Sequence, residues 1–363
     1  MSTYREPAAD SVIPTFDVRA LARRAAVPAA LAAAAVVAVI VAGGPLHAFA
    51  DALRRALDAD PRWVAGAAVL ELLSFAGYVA LLWMIASGAT GRMGLRESTE
   101  VTLGGAAATR LLPTGGVGGA ALTVWALRRT GMTARAATRT LLSFLITLYS
   151  VFLAAITTSG ALLALGIAHG GGPIALSAVP GALAALGIAG SLALGARVSQ
   201  PGRGRVLGAA DVFGEAVRDA LGYVRTLDPR LLGAVAWWTF DGAVLWAMLH
   251  AFGAPPPLMV VVLAYFVGQV GNTIPIPGAV SGGMVGILVA FSVPADLALV
   301  SVLAYRAVAI WLPAPIGLVA LGSLRRTIAR WGEEDKPLAV EPAPPRIAVA
   351  SRPCAEPALQ LAA

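Results

Sequence analysis

Two stretches limit what this chain can fold into. They are Thr109-Arg110-Leu111-Leu112-Pro113-Thr114-Gly115-Gly116-Val117-Gly118-Gly119 and Asn272-Thr273-Ile274-Pro275-Ile276-Pro277-Gly278-Ala279-Val280-Ser281-Gly282-Gly283. Each sets a Pro/Gly cluster in the middle of an apolar run, where an unbroken membrane helix would otherwise lie. Proline removes a backbone donor and clashes with the preceding turn, and repeated glycine withdraws helix propensity. A helix that reaches either stretch is therefore predicted to break. A break exposes unpaired backbone groups that hydrocarbon does not satisfy, so it survives where protein buries it or where it lines a polar cavity. Two breaks in corresponding places of two halves point to a binding site between inverted repeats. A pair of Pro-kinked spans without a site is the plainer alternative.

The surrounding composition supports the membrane reading. The chain is 58% hydrophobic and 13% charged, with a mean hydropathy of +0.78, outside the range of soluble domains. An all-α, polytopic membrane protein is expected. The net charge of +7 comes from arginine, Lys336 being the only lysine. In such a protein that charge reads as Arg-rich cytoplasmic loops facing anionic headgroups, not as a nucleic-acid surface. Cys354 is the single cysteine and excludes disulfides and thiolate metal sites. His47, His169 and His250 are too widely spaced to form a ligand set. Neither a metal nor another cofactor is expected.

Taken in order, residues 1–25 are a polar tail ending in Arg23-Arg24, and Ala25 to Val41 is a first apolar span. Ala48-Phe49-Ala50 beyond it resembles a signal-peptidase site, but the apolar core exceeds the usual ~7–15 residues, which favours an uncleaved span. Asp51 to Arg62 reads as a short surface helix. Trp63 to Ser87 is the second span, with Trp63 and Trp83 as interfacial anchors. Arg92 and Arg96 precede the first broken segment, Val101 to Leu127, and Arg128, Arg129, Arg135 and Arg139 follow it. Arginines on both flanks predict a re-entrant hairpin entered from the cytoplasm. Leu141 to Ile167 crosses outward and Ile174 to Leu194 crosses back. Asp211 to Arg225 has amphipathic spacing and reads either as a helix on the inner membrane surface or as a solvated linker helix. Leu231 to Phe252 crosses outward. Leu258 to Phe291 carries the second break between uncharged flanks, and Leu297 to Leu321 crosses inward to Arg325, Arg326 and Arg330.

The expected total is about six full spans and two re-entrant hairpins in a domain of residues 26–325, with repeat halves at about 63–167 and 231–321. Residues 326–363 read as a disordered tail. Both termini fall on the cytoplasmic side of a bacterial plasma membrane. The halves run span–hairpin–span with opposite starting sides, so their hairpins would face each other near the midplane.

Few ionisable residues interrupt the apolar segments: Glu71, Arg110, Asp241 and Arg306, with Glu100 at the mouth of the first hairpin. Charge at the bilayer centre costs at least ~2.5–3.5 kcal/mol per residue on insertion scales, so these groups should face protein or water. Glu71 and Asp241 occupy matching places in the two halves. Two acids and two arginines suit a cavity for a zwitterionic or anionic headgroup, or simply tie spans together. Helix ends at the hairpin tips would favour a phosphate further.

These motifs resemble the lysylphosphatidylglycerol synthase transmembrane-region family of flippase-like proteins. The resemblance rests on Arg110-Leu111-Leu112-Pro113 with Gly115-Gly116 and Gly118-Gly119, and on Leu127-Arg128-Arg129-Thr130-Gly131. It continues in Ile274-Pro275-Ile276-Pro277-Gly278, Tyr305-Arg306 and Trp311-Leu312-Pro313. It implies a lipid-flippase-like domain in which Arg110 and Arg306 are motif positions. Family members often carry an acid shortly after the second Pro-Gly, where this chain has Ser281 or Met284. Lipid-synthesising members add a soluble aminoacyl-transferase domain, whose activity is not expected from the short Pro-rich tail here.

Two classes of function follow: a transporter moving a lipid between leaflets, or a membrane enzyme acting on a lipid headgroup. A non-transporting scaffold is a third. An enzyme would show clustered acids or a nucleophile beside a base, and the apolar region has no Asp-x-x-Asp, His-x-x-x-His or Glu-x-x-His pattern. The sequence leans to transport without catalysis. Membrane lipids are the expected partners, and a homo-oligomer is compatible with the pattern. The expected substrate-binding residues are Glu71, Arg110, Pro113, Gly115, Gly116, Asp241, Asn272, Pro275, Pro277, Gly278, Tyr305 and Arg306.

Overall fold

The computed structural model describes residues 59–111, 117–197, 205–273 and 278–334. The first apolar span lies outside them, as does most of the surface helix expected from Asp51 to Arg62, whose last two residues, Pro61 and Arg62, instead open the first spanning helix. The described chain is helical: α1 (Pro61–Ser87), α2 (Leu95–Leu111), α3 (Val117–Arg129), α4 (Ala134–Ala164), α5 (Ile174–Arg197), α6 (Arg205–Arg225), α7 (Arg230–Phe252), α8 (Leu258–Val270), a 3-10 turn (Gly271–Thr273), α9 (Ala279–Ala290), α10 (Ala295–Trp311) and α11 (Pro313–Glu334). Five segments are long and apolar enough to cross a membrane: α1, α4, α5, α7 and the run Ala295–Gly332.

The axis of the bundle is the antiparallel pair α1/α7. Gly77 allows the close approach, since a Cβ there would lie 2.8 Å from the Trp237 nitrogen and 2.9 Å from the Gly233 oxygen. The Ser74 hydroxyl donates to the Trp237 carbonyl at 2.9 Å. At one end of the pair the Asp60 amide donates to the Ala251 carbonyl (3.1 Å), with Trp63 stacked on His250. At the other, Arg230 Nε donates to the Met84 carbonyl (3.2 Å). These contacts put Glu71 level with Asp241.

The ends differ in charge. Arg92, Arg96, Arg128, Arg129, Arg135, Arg139, Arg225, Arg230, Arg325, Arg326 and Arg330 gather where α1 ends and α7 begins. At the opposite end Arg62 is the one arginine among the described residues. Buried aromatics fill the space between α4, α7 and α8: Phe152 meets Phe266 at 5.3 Å and Trp238 at 4.9 Å, and Trp238 Nε1 donates to the Leu148 carbonyl at 2.8 Å.

Three sequence expectations are corrected. The connecting helix α6 is neither a solvated linker nor laid with its apolar stripe on lipid. Val212, Ala216, Val217 and Ala220 are buried against α4 and α5. Arg139 bridges Asp219 through two bonds (2.9 and 2.7 Å), and Arg135 donates to Glu215 at 2.7 Å. Those arginines consequently lie on α4, which begins at Ala134 with Thr133 as N-cap. The final span is interrupted at Leu312, because Pro313 brings no amide hydrogen to the ladder and crowds the carbonyl four residues back. Finally, the chain is helical to Glu334, past the expected boundary at 325. Ala320, Leu324, Thr327 and Trp331 of α11 are buried, and α11 packs on α2.

Candidate functional site

Both predicted breaks interrupt helices. α2 and α3 form an antiparallel hairpin with Gly105 facing Gly119. α8 and α9 form a second one, with Gly283 against Gly268 and Gly271 against Ala279. Gly278 starts α9 with φ 85°, left-handed geometry that suits glycine. The hairpins come from opposite ends of the bundle. α2 begins after α1 ends, at the Arg-rich end, whereas α8 begins where α7 ends, beside the α4–α5 loop whose Gly170 faces Val260 and Phe291. The 13 residues of α8 and the 12 of α9 span roughly 20 and 18 Å at 1.5 Å per residue. A hydrocarbon core is about 30 Å thick, so each arm is shorter than that thickness. The described arms also pack on neighbouring helices: α2 on α1 and α11, α8 on α4 and α7.

The second hairpin delivers polar groups to the middle of the bundle. Asp241 is 3% exposed and stands at the centre of Arg230–Phe252. Tyr265 donates its hydroxyl to Asp241 Oδ2. The Tyr305 hydroxyl donates to the same carboxylate at 3.2 Å, and Gln269 Nε2 lies 3.3 Å from Oδ2 and 2.9 Å from the Tyr305 oxygen. Asn272 Nδ2 donates to Gln269 Oε1 at 2.6 Å, fixing which way that amide faces. A buried carboxylate is tolerable here because its lone pairs are taken up by donors from two other helices.

Of the expected site residues, the structure brings Asp241, Tyr305 and Asn272 into this one network. Glu71 is 1% exposed on α1, level with Asp241. Arg306 follows Tyr305 but does not join. It is half-buried and makes no hydrogen bond or ion pair among the described residues. Arg110 is the penultimate residue of α2, as Gln269 is of α8. Gly278 caps the returning arm, and Pro113, Gly115, Gly116, Pro275 and Pro277 lie outside the described residues.

Two sets of buried polar contacts are not among the sequence expectations. Tyr265 and Gln269 are four apart on α8, a spacing that places both on one helix face. They are also the polar pair in an otherwise apolar arm, a signal that could have been used. The second set surrounds Glu100, 5% exposed. Ser323 and Thr327 of α11 donate to its two oxygens at 2.5 and 2.7 Å, and Arg96 pairs with it at 3.2 Å. The 223-residue separation of Ser323 from Glu100 hides this contact from any local pattern.

No curated protein matches the chain. The family model described as Lysylphosphatidylglycerol synthase TM region matches residues 25–317, a span that takes in both hairpins, the buried acids Glu71 and Asp241, and Tyr305-Arg306. The chain is thus a multi-pass membrane protein that belongs to the lysylphosphatidylglycerol synthase TM-region family.

Proposed function

We propose that the protein moves a lipid or lipid-like amphiphile with an anionic headgroup between the leaflets of a bacterial plasma membrane, without covalent chemistry. The observation that carries this reading is the pair of short hairpins entering the bundle from opposite ends. Asn272 and Thr273, at the turn of the second, are exposed. They follow α8 by one turn, which puts them about 21 Å from its start. Polar groups at that depth need water or a polar ligand rather than acyl chains. The family supplies the flippase-like context, and the hairpins are read as re-entrant.

The Arg-rich end faces the cytoplasm in this reading, following the positive-inside bias. It places the α11 terminus inside and the uncharged α4–α5 loop outside. Arg306 is the candidate headgroup contact described here, because it is half-buried beside the polar network and uncommitted among the described residues. Its planar fork matches phosphate oxygens in a way an ammonium does not.

The test is leaflet translocation by purified protein in liposomes, against a panel of fluorescent lipids. Arg306→Ala should reduce movement of anionic lipids at unchanged expression and detergent stability, with Arg306→Lys restoring part of it. Loss of folded Arg306→Ala protein in detergent would assign the residue a structural role. Covalent modification of lipid without movement would replace transport by the enzyme reading. For topology, cysteines at Arg92 and Arg135 should label from the cytoplasm alone and one at Ser292 from outside alone. Labelling of Arg92 and Arg135 from opposite faces would make the first segment a true span.

A further inference from the structure

We propose that Asp241 is a proton-binding site through which movement of lipid is coupled to a transmembrane proton gradient. The coupling rests on the transport reading, whereas the proton site stands on geometry. Asp241 sits at the centre of α7, 3% exposed. The donors that hold its carboxylate are all neutral: two phenol hydroxyls and one amide. The groups facing it are Tyr265 from α8 and Tyr305 from α10. Arg306 follows Tyr305 on α10 without a bond to the carboxylate. From α1, Glu71 is level with it. From α4, Tyr149 reaches the ring of Trp238, one turn before Asp241. α6 meets only the start of α7, where Tyr223 lies under Arg230. Among the described residues no basic side chain is bonded to the Asp241 oxygens. A carboxylate locked to an arginine would be a fixed structural pair. Held by neutral donors, this one gains or loses a whole charge when a proton binds or leaves, at a depth where charge is strongly disfavoured.

The network also gives that event a place to act. Ionised Asp241 only accepts, but protonated Asp241 carries an O–H that must donate. One present donor then has to withdraw or turn. Gln269 can make that turn and pass it to the hairpin, because its amide bears a donor toward Asp241 and an acceptor toward Asn272. Rotated, Gln269 Oε1 accepts from the Asp241 O–H and releases Asn272, which stands in the turn at the tip of α8. Proton binding is thereby felt at the break of the second hairpin. The balance is simple: one proton leaves water on one side, resides on an Asp241 oxygen, and is released to water on the other side.

The test has two arms. In the first, infrared difference spectra of purified protein are taken between alkaline and acid pH. A protonated-carboxyl band should appear in the wild type, be missing in Asp241→Asn, and reappear displaced in Asp241→Glu. An Asp241→Asn spectrum identical to wild type overturns the proton site. In the second, wild-type protein in vesicles containing fluorescent phosphatidylglycerol receives a gradient of about one pH unit. Coupling should skew the steady-state leaflet ratio by up to about tenfold per proton. Movement that leaves the ratio unchanged overturns coupling. Absence of any lipid movement overturns the transport reading instead, and the infrared arm still decides the site.

Discussion

The two hairpins follow one plan and are restrained at different depths. The first is tied near its root, where Glu100 receives Ser323 and Thr327 of α11 at the Arg-rich end. The second is tied near its tip, where Tyr265 and Gln269 reach Asp241. The supporting helices match as well. α4 is unbroken over 31 residues and backs α8, while its counterpart is bent at Leu312 so that α11 backs α2. A restraint at the root does not by itself connect a hairpin to the middle of the bundle. A restraint at the tip ties the hairpin to the charge and occupancy of the middle. Under the proton-coupling proposal the second half is the responsive one, and the first half with α11 is its frame.

Both halves hang from the α1/α7 pair, so the largest effect should come from prying that pair apart. At Gly77 a first side-chain carbon already lies 2.8 Å from the Trp237 nitrogen. Gly77→Leu must displace backbone. Overpacking of this kind costs roughly 1–3 kcal/mol or more, and the variant should lose its monodisperse detergent peak and melt earlier. Wild-type melting would show that the halves are held together elsewhere.

An intermediate effect should separate the hairpins. A Cβ on Gly268 would meet the Met284 nitrogen at 2.9 Å, whereas one on Gly105 finds Gly119 Cα at 3.6 Å, ordinary contact. Gly268→Ala should therefore destabilise by about 1–3 kcal/mol. Gly105→Ala should stay within about 0.5 kcal/mol of wild type, helped by better helix propensity. Thermal unfolding in one detergent compares the two. Equal losses would mean that the two positions tolerate a side chain alike, against these distances.

How much of this was legible beforehand depends on distance along the chain. The breaks were legible because Pro113 and the Pro275/Pro277 pair act on their own backbone. The spans were legible because a bilayer demands a long apolar run, and the acids because charge in such a run needs a reason. Tertiary partners were not. Nothing near Arg139 announces Asp219, and α6 reads as an interfacial helix until α4 and α5 cover its stripe. Trp311-Leu312-Pro313 was visible as a motif, but its bend matters only once α11 has α2 to pack on. Arg306 was expected in one cavity with the acids. Tyr305, expected there too, does reach Asp241, and Arg306 does not, because neighbouring residues on a helix point about 100° apart.

The smallest effect sharpens the contrast between root and tip. Glu100→Gln keeps an acceptor for one hydroxyl and removes the charge that Arg96 pairs with at 3.2 Å. Arg96 is 65% exposed, so water screens that pair, and exposed pairs contribute about 0–1 kcal/mol. Thr327→Ala removes one of two hydroxyls on the carboxylate, and a hydrogen bond to a charged group is worth about 1.5–3 kcal/mol. Glu100→Gln combined with Thr327→Ala should lose less than the sum of the two, since both act on one contact. If Glu100 is a root restraint, each variant lowers thermal stability modestly. The proton-gradient response of lipid movement then stays as in the wild type, because the responsive tie lies at Asp241. A loss of that response in Glu100→Gln, at wild-type stability, would transfer the coupling role to the first hairpin and reverse the assignment of frame and responder.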